Sequence, residues 1–219
     1  MPTCIAPDYA RAVQEIIQVG QFLDARGWAP ATSGNYSVRL SDGHIAITTS
    51  GGSKGELTPA EVMTITREGE PVHITATHTV HQTAPRASAE TLLHTGIYQQ
   101  FPDAGAVLHV HFVAGVVLTR LLPEAETLVF ENHEMLKAFP GVSTHQTEIR
   151  LPVFDNTQDM PCLAQAVRKR LLQEANPCAY FIRNHGLYAW GRHMAEARRI
   201  VEAVAFLTAC ELEMRRLSQ

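Results

Sequence analysis

Two histidines one residue apart, His109 and His111, close the apolar run that begins at Ala104. On an extended chain alternate side chains share a face, so this pair presents two imidazoles to one point. A third is available from His185 in Asn184-His185-Gly186-Leu187, which follows a second apolar run, Ala179 to Ile182. Three imidazole nitrogens around a divalent cation leave an open position where a substrate oxygen is polarised, the layout of a catalytic zinc. Taken alone, His185 reads equally well as an ordinary turn histidine. Its place just past a strand end, where α/β sheets keep their ligands, favours the metal role.

Two loops could hold an anion. Thr32-Ser33-Gly34-Asn35 and Thr49-Ser50-Gly51-Gly52-Ser53-Lys54 combine glycines, which let backbone N–H groups approach closely, with hydroxyl and amide donors and one lysine. The spacing G-x-x-x-x-G-K of a nucleotide loop is absent, so a small phosphate ester fits better than a nucleotide. Either loop on its own also reads as a plain glycine-rich turn. Two carboxylates complete the set: Glu90 in Ser88-Ala89-Glu90 and Glu134 in His133-Glu134-Met135-Leu136-Lys137. A carboxyl beside a polarised carbonyl can move an α-proton or protonate a leaving hydroxyl. Spacing alone does not single these two out from other surface glutamates. His133 could orient Glu134, though a surface histidine is the plainer reading.

The elements that must carry these residues alternate between helical and strand periodicity. Helices are expected over Pro7–Arg26, Ser88–Gln100, Phe112–Leu122, Asp159 to about Glu174, and Met194–Arg216, with a short one over Glu134–Phe139. A capping box at Thr58-Pro59-Ala60-Glu61 predicts one more short helix. Strands are expected at Tyr36–Leu40 and His44–Thr48, joined by the hairpin signal Ser41-Asp42-Gly43, and at Met63–Thr66, Ala106–His111, Thr127–Phe130 and Ala179–Arg183. This is an α/β layered protein with a partly antiparallel sheet, and residues 1–219 read as a single domain. The long last helix is a candidate for subunit contacts. His73, His78 and His81 lie in a polar, threonine-rich stretch and read as solvent-facing; Cys162 and Cys178 read as small buried residues.

With 45% hydrophobic and 18% charged residues and a formal net charge of −4, the composition points to neither nucleic acid nor a membrane surface. The four cysteines form no C-x-x-C pair and read as reduced thiols, and no leader or spanning segment is evident, so a cytoplasmic location is expected.

In order along the chain, T-S-G-N-x-S, T-x-S-G, S-x-E, H-x-H and N-H-G-L resemble the class II aldolase/adducin-head superfamily, from Thr32 to Leu187. The resemblance implies a three-layer α/β/α fold with a central mixed, largely antiparallel sheet. It implies one Zn²⁺ per subunit on His109, His111 and His185, with Fe, Co or Mn as possible substitutes. It also implies a phosphate site at Ser33, Gly34, Asn35, Ser50, Gly51 and Ser88, and a homotetramer with active sites near subunit boundaries. Where the family often has S-S-E, this chain has Ser88-Ala89-Glu90 and so lacks one hydroxyl.

Within the superfamily, Gly27-Trp28, Ser50-Gly51-Gly52-Ser53-Lys54 and His133-Glu134-Met135-Leu136-Lys137 are similar to the dehydratase branch of methionine salvage. That branch removes water from 5-methylthioribulose 1-phosphate and uses the glutamate of Q-E-M-[IL]-K as acid/base, which maps to Glu134. Its substrate needs an apolar pocket for the thiomethyl group, for which Phe112, Met135 and Phe139 are candidate walls, with core packing as the plainer role of each. The aldolases use the glutamate of S-S-E, which maps to Glu90. Two other activities remain open at this point. One is a sugar-phosphate aldolase or epimerase acting on a ketose such as fuculose or ribulose phosphate. The other, more remote, is a non-catalytic adducin-like interaction module, which need not keep three metal ligands.

Overall fold

The computed structural model describes residues 7–72 and 87–218; the stretch holding His73, His78 and His81 lies outside them. Eight strands form one sheet: β1 (Asn35–Arg39), β2 (Ile45–Thr48), β3 (Val62–Ile65), β4 (Ala106–Val110), β5 (Thr127–Glu131), β6 (Glu148–Phe154), β7 (Ala179–Ile182) and β8 (Gly186–Gly191). Their order is β3-β2-β1-β4-β8-β7-β6-β5. Only the β6–β7 pair is parallel; the others are antiparallel. The sheet is therefore mixed and largely antiparallel, as expected.

Among the described residues five α-helices cover the sheet: α1 (Tyr9–Asp24), α2 (Thr91–Gln100), α3 (Val113–Leu121), α4 (Met160–Leu171) and α5 (Met194–Leu217). The two-residue period of the strands sorts side chains between two cores. Ala106, Leu108 and Val110 of β4 join Ile16 and Leu23 of α1, Leu118 of α3, and Ile200, Val204 and Leu207 of α5. Val107 points to the other face, against Leu93 and Ile97 of α2 and Leu163 and Val167 of α4. His109 has the parity of Val107, so it faces the α2 side.

Helix α5 lies on the sheet with a fully buried stripe of Ile200, Val204 and Leu207. Truncating one of these leaves a cavity in a packed core, so Leu207→Ala should cost ~2–5 kcal/mol in urea unfolding. A cost below ~1 kcal/mol, less than the methylene transfer term alone, would contradict this packing.

The short elements follow expectation, and two strands are additional. The capping box at Thr58 opens the expected short helix, a 3-10 turn over Pro59–Glu61, which ends where buried Val62 adopts extended angles and enters β3. The short helix expected at Glu134 is likewise present, as a 3-10 helix over Glu134–Ala138. The additional strands are β6 and β8. In β6, Pro152 would argue against a strand, yet it sits where pairing passes from β5 to β7, at Thr127↔Pro152 and then Val153↔Phe181. In β8 every residue is buried, so no in/out alternation marks it. Cys162 is exposed on the first turn of α4, where Asp159 caps its N–H at 3.0 Å, which corrects the buried reading. Cys178 is half-buried, and burial pushes its thiol up to about 12.

Candidate metal centre and active site

The antiparallel pairing collects the ends of the chemistry-bearing segments on one rim. The start of β1, the end of β4 and the start of β8 meet there through the registers Asn35↔His109 and Val110↔Leu187. Along the extended end of β4, His109 and His111 point the same way, with ring centroids 4.6 Å apart. His185 sits in the turn between β7 and β8, and its ring lies 5.0 Å from His109 and 4.7 Å from His111. One nitrogen from each imidazole lies within 4.8 Å of the other two, the one such cluster among the described residues.

The turn that presents His185 is held from several directions. Asn184 takes the left-handed conformation (φ 53°), which asparagine tolerates, and its N–H donates to Thr119 Oγ1 at 3.0 Å. Arg183 donates to Asp155 and to the carbonyls of Thr119, Leu122 and Ala125, tying the end of β7 to the end of α3. Neither Thr119 nor Arg183 stands out in the sequence; Arg183 directly precedes Asn184-His185-Gly186, but its carbonyl partners lie 58 to 64 residues away.

Gly186 is required by contact rather than by φ. A Cβ there would meet Val110 O at 2.5 Å, His109 Cε1 at 2.9 Å and His111 Cδ2 at 3.1 Å. Gly186→Ala should therefore push the imidazoles apart. The expected result is weakened metal retention in dialysis against a chelator; a variant that retained metal like the parent would show that the rings have room to give.

The donor set suits a borderline divalent cation. His109 Nδ1 donates to Leu187 O at 3.1 Å, which fixes the tautomer and turns the Nε2 lone pair toward His111 Nε2, 2.8 Å away. Burial holds His109 well below the ordinary histidine range and, with the nearby His185, pushes His111 down to about 4, so both favour the neutral form that ligates. Two unprotonated nitrogens this close repel unless a proton or cation lies between them. His109, His111 and His185 thus form a candidate metal site.

Glu90 lies against this cluster. Its Oε1 is 3.2 Å from His185 Nε2 and 3.6 Å from His109 Nε2, while Oε2 accepts from Asn35 Nδ2 at 2.6 Å. Burial works against its charge, but the His185 contact, the nearby His109 and the Asn35 amide outweigh it and hold the carboxyl well below its usual range. Behind Asn35 stands the fully buried His94 of α2, whose Nε2 meets Asn35 Oδ1 and whose Nδ1 meets Ser37 Oγ at 2.7 Å.

His94 also gives a pH dependence. Burial pushes it down to about 4 from the ordinary 6.5. The unfolded chain takes up a proton below about 6.5 that the folded chain declines until about 4, so stability is lost as pH falls through that window. Urea unfolding at pH 7 and pH 5 should show a smaller loss for His94→Gln than for the parent. Equal losses would mean that His94 titrates alike in both states.

Glu134 is placed differently. Its side chain is 72% exposed and pairs with Lys137 at 2.5 Å and His145 at 3.7 Å. Within one chain the fold brings Glu90 to the imidazoles and leaves Glu134 facing outward. His133, read as a residue that could orient Glu134, has no bond to it among the described contacts; Lys137 and His145 take that place.

The loops expected to bind phosphate converge on the same rim. Lys54 is buried, and its ammonium donates to Thr32 O at 2.9 Å and Gly52 O at 2.7 Å, bridging the two loops. This anchoring accompanies left-handed angles at Ala31 (φ 51°) and Thr32 (φ 65°), each a strain of about 1–3 kcal/mol. Gly34 (φ 80°) passes so close to β4 that a Cβ would lie 2.6 Å from His109 O. Ser33 Oγ is buried with no partner among the described residues, whereas Ser50 and Gly51 are exposed. Ser88 Oγ accepts from Glu90 N–H at 3.2 Å. The Asn35 side chain is committed to Glu90 and His94 instead of facing an anion. Beside the cluster, a cleft of about 450 Å³ is lined by His111, His185, Val113, Val117, Asn156 and Gln158. Phe112 and Phe139, candidate pocket walls in the sequence, are buried in the core.

A mixed sheet with three imidazoles and a carboxylate at one rim forms a candidate metal-dependent active site. The chain belongs to the Class II Aldolase and Adducin N-terminal domain family, whose model matches residues 14–212. It is 49% identical over 209 residues to a methylthioribulose-1-phosphate dehydratase from Marinobacter nauticus, covering 95% of this chain and 96% of that protein. Against the enzyme of the same name from Hahella chejuensis it is 47% identical over 210 residues, 95% of this chain and 96% of that one. Among solved structures, L-fuculose-1-phosphate aldolase from Thermus thermophilus superposes with a TM-score of 0.73 at 25% identity, covering 96% of this chain and 98% of that one. Among the described residues no helix is long and apolar enough to cross a membrane.

Proposed function

We propose that this protein is a hydro-lyase that converts 5-methylthioribulose 1-phosphate to 5-methylthio-2,3-dioxopentyl 1-phosphate in methionine salvage. One observation carries the reading: one nitrogen from each of three imidazoles within 4.8 Å of the others, with Glu90 against two of the rings, in a chain 49% identical to a dehydratase of that name.

Ser33, Gly34, Ser50, Gly51 and Ser88 are the groups assigned to the phosphate end, with Asn35 as their link to Glu90. His109, His111 and His185 would hold the cation, assigned as Zn²⁺ on the strength of three nitrogen donors. When bound, that ion supplies a Lewis acid that polarises the C2 carbonyl and offsets the charge developing on it. Glu90, ionised and beside the imidazoles, is the group in this chain able to take the proton from C3. Glu134 is assigned the proton that departs with the C4 hydroxyl as water; the C3–C4 enol then tautomerises to the diketone. Because Glu134 faces outward, this role requires a neighbouring copy to complete each site, which fits the homotetramer that the family resemblance implies.

The position of Glu90 also favours a second reading, a sugar-phosphate aldolase that breaks the C3–C4 bond after the same carbonyl activation. Incubating purified protein with 5-methylthioribulose 1-phosphate, fuculose 1-phosphate and ribulose phosphate separates the two. Diketone from the first substrate supports the dehydratase; release of a three-carbon phosphate from any of them supports the aldolase.

A further inference from the structure

Behind Glu90 runs a buried chain of polar groups, of which the reaction above uses only Asn35. Tyr98 OH lies 2.9 Å from Ser37 Oγ, Ser37 Oγ lies 2.7 Å from His94 Nδ1, His94 Nε2 meets Asn35 Oδ1, and Asn35 Nδ2 reaches Glu90 Oε2 at 2.6 Å. Ser37 and His94 are fully buried, and Tyr98 and Asn35 are nearly so.

Only one donor assignment satisfies every link with a neutral imidazole. The Glu90 carboxylate is acceptor-only, so the Asn35 NH₂ must face it; a flipped amide would set oxygen against oxygen. That turns Asn35 Oδ1 toward His94, which must then donate from Nε2. His94 Nδ1 is left as an acceptor, Ser37 fills it with its hydroxyl hydrogen, and the Ser37 oxygen accepts from Tyr98. All donors along the chain point toward Glu90.

We propose that His94 is a positioning residue whose Nε2–H locks the Asn35 amide so that its NH₂ holds the Glu90 carboxylate against the imidazole cluster. An amide is free to rotate by half a turn and differs little in shape between its two orientations. Glu90 alone does not fix its own orientation, because the carboxylate is on a movable side chain. His94 is held at its other nitrogen by Ser37 and packs edge-on against Tyr188, with ring centroids 5.6 Å apart, so it supplies the rigid reference. The catalytic consequence rests on the reading of Glu90 as the proton-accepting group; the tautomer does not.

The test has two arms. Nitrogen-15 NMR of histidine-labelled protein, prepared without metal, should report His94 as neutral with the proton on Nε2. A proton on Nδ1 overturns the proposal. The second arm compares His94→Gln, whose amide nitrogen occupies the place of Nε2, with His94→Asn, which reaches only the place of Nδ1. His94→Asn should lose ~10-fold to ~100-fold in kcat with KM little changed, and His94→Gln should lose clearly less. In a Glu90→Gln background the Asn substitution should cost no further turnover, because its effect passes through Glu90. An equal loss in both backgrounds, or the reverse order of the two variants, marks a purely structural role and overturns the proposal. The NMR arm needs no substrate, so a failure of the dehydratase reading is told apart from a failure of this one.

Discussion

His111→Ala is expected to abolish both metal retention and turnover while leaving the protein folded. The cluster offers three imidazoles, and removing one leaves two donors and no defined geometry for a cation. Lewis-acid stabilisation is worth several kcal/mol, and each ~1.4 kcal/mol is tenfold in rate, so a loss of at least ~10³-fold follows. His111 is the informative choice among the three. His109 is fully buried, bonds Leu187 and stacks on Tyr188 at 4.1 Å, so its removal would also unsettle the sheet. His111 is only half-buried, at the strand end. Elemental analysis of the purified variant beside the parent, with circular dichroism to confirm folding, decides the matter. A variant that kept the parent's metal content and its turnover would remove the basis for the proposed chemistry.

Glu90→Gln and Glu134→Gln should each lower kcat by ~10²–10⁴-fold without loss of metal, since each removes one proton transfer but no ligand. The two losses have different origins. Glu90 lies 3.2 Å from His185 of its own chain and on the proposed roles would act there, whereas Glu134 is 72% exposed and bonded to Lys137 and His145. Mixing Glu134→Gln with His111→Ala protein under conditions that exchange subunits should therefore restore part of the activity, because a site with intact histidines would meet an intact Glu134 from a neighbour. Glu90→Gln mixed with His111→Ala should restore none, since both groups must come from one chain. If Glu134→Gln turned over normally while Glu90→Gln were dead, the proton roles would be those of an aldolase.

Much of the site is legible from local pattern. H-x-H at the end of an apolar run fixes two imidazoles on one face because strand geometry has a period of two, and Asn-His-Gly after another such run marks a turn at a sheet end. The hairpin at Asp42-Gly43, the Asp159 cap and the long α5 stripe are readable for the same reason, since each depends on neighbours a few residues apart. The capping box marks the short helix after Thr58 because it is local, whereas the point at which that helix gives way to β3 belongs to the sheet that buries Val62.

What the chain does not reveal without its fold is which glutamate meets the histidines and what holds it there. Glu90 and Glu134 look alike as local sequence; the pairing of β1 with β4 and the packing of α2 on the sheet bring one of them to the rim and leave the other on the surface. Asn35 reads as an anion donor in its loop, yet His94, 59 residues away, occupies its carbonyl oxygen. Residue types and short spacings thus settle which chemistry is possible. Long-range pairing, in which hydrogen bonds and burial act between segments far apart in the chain, decides which residues carry it out.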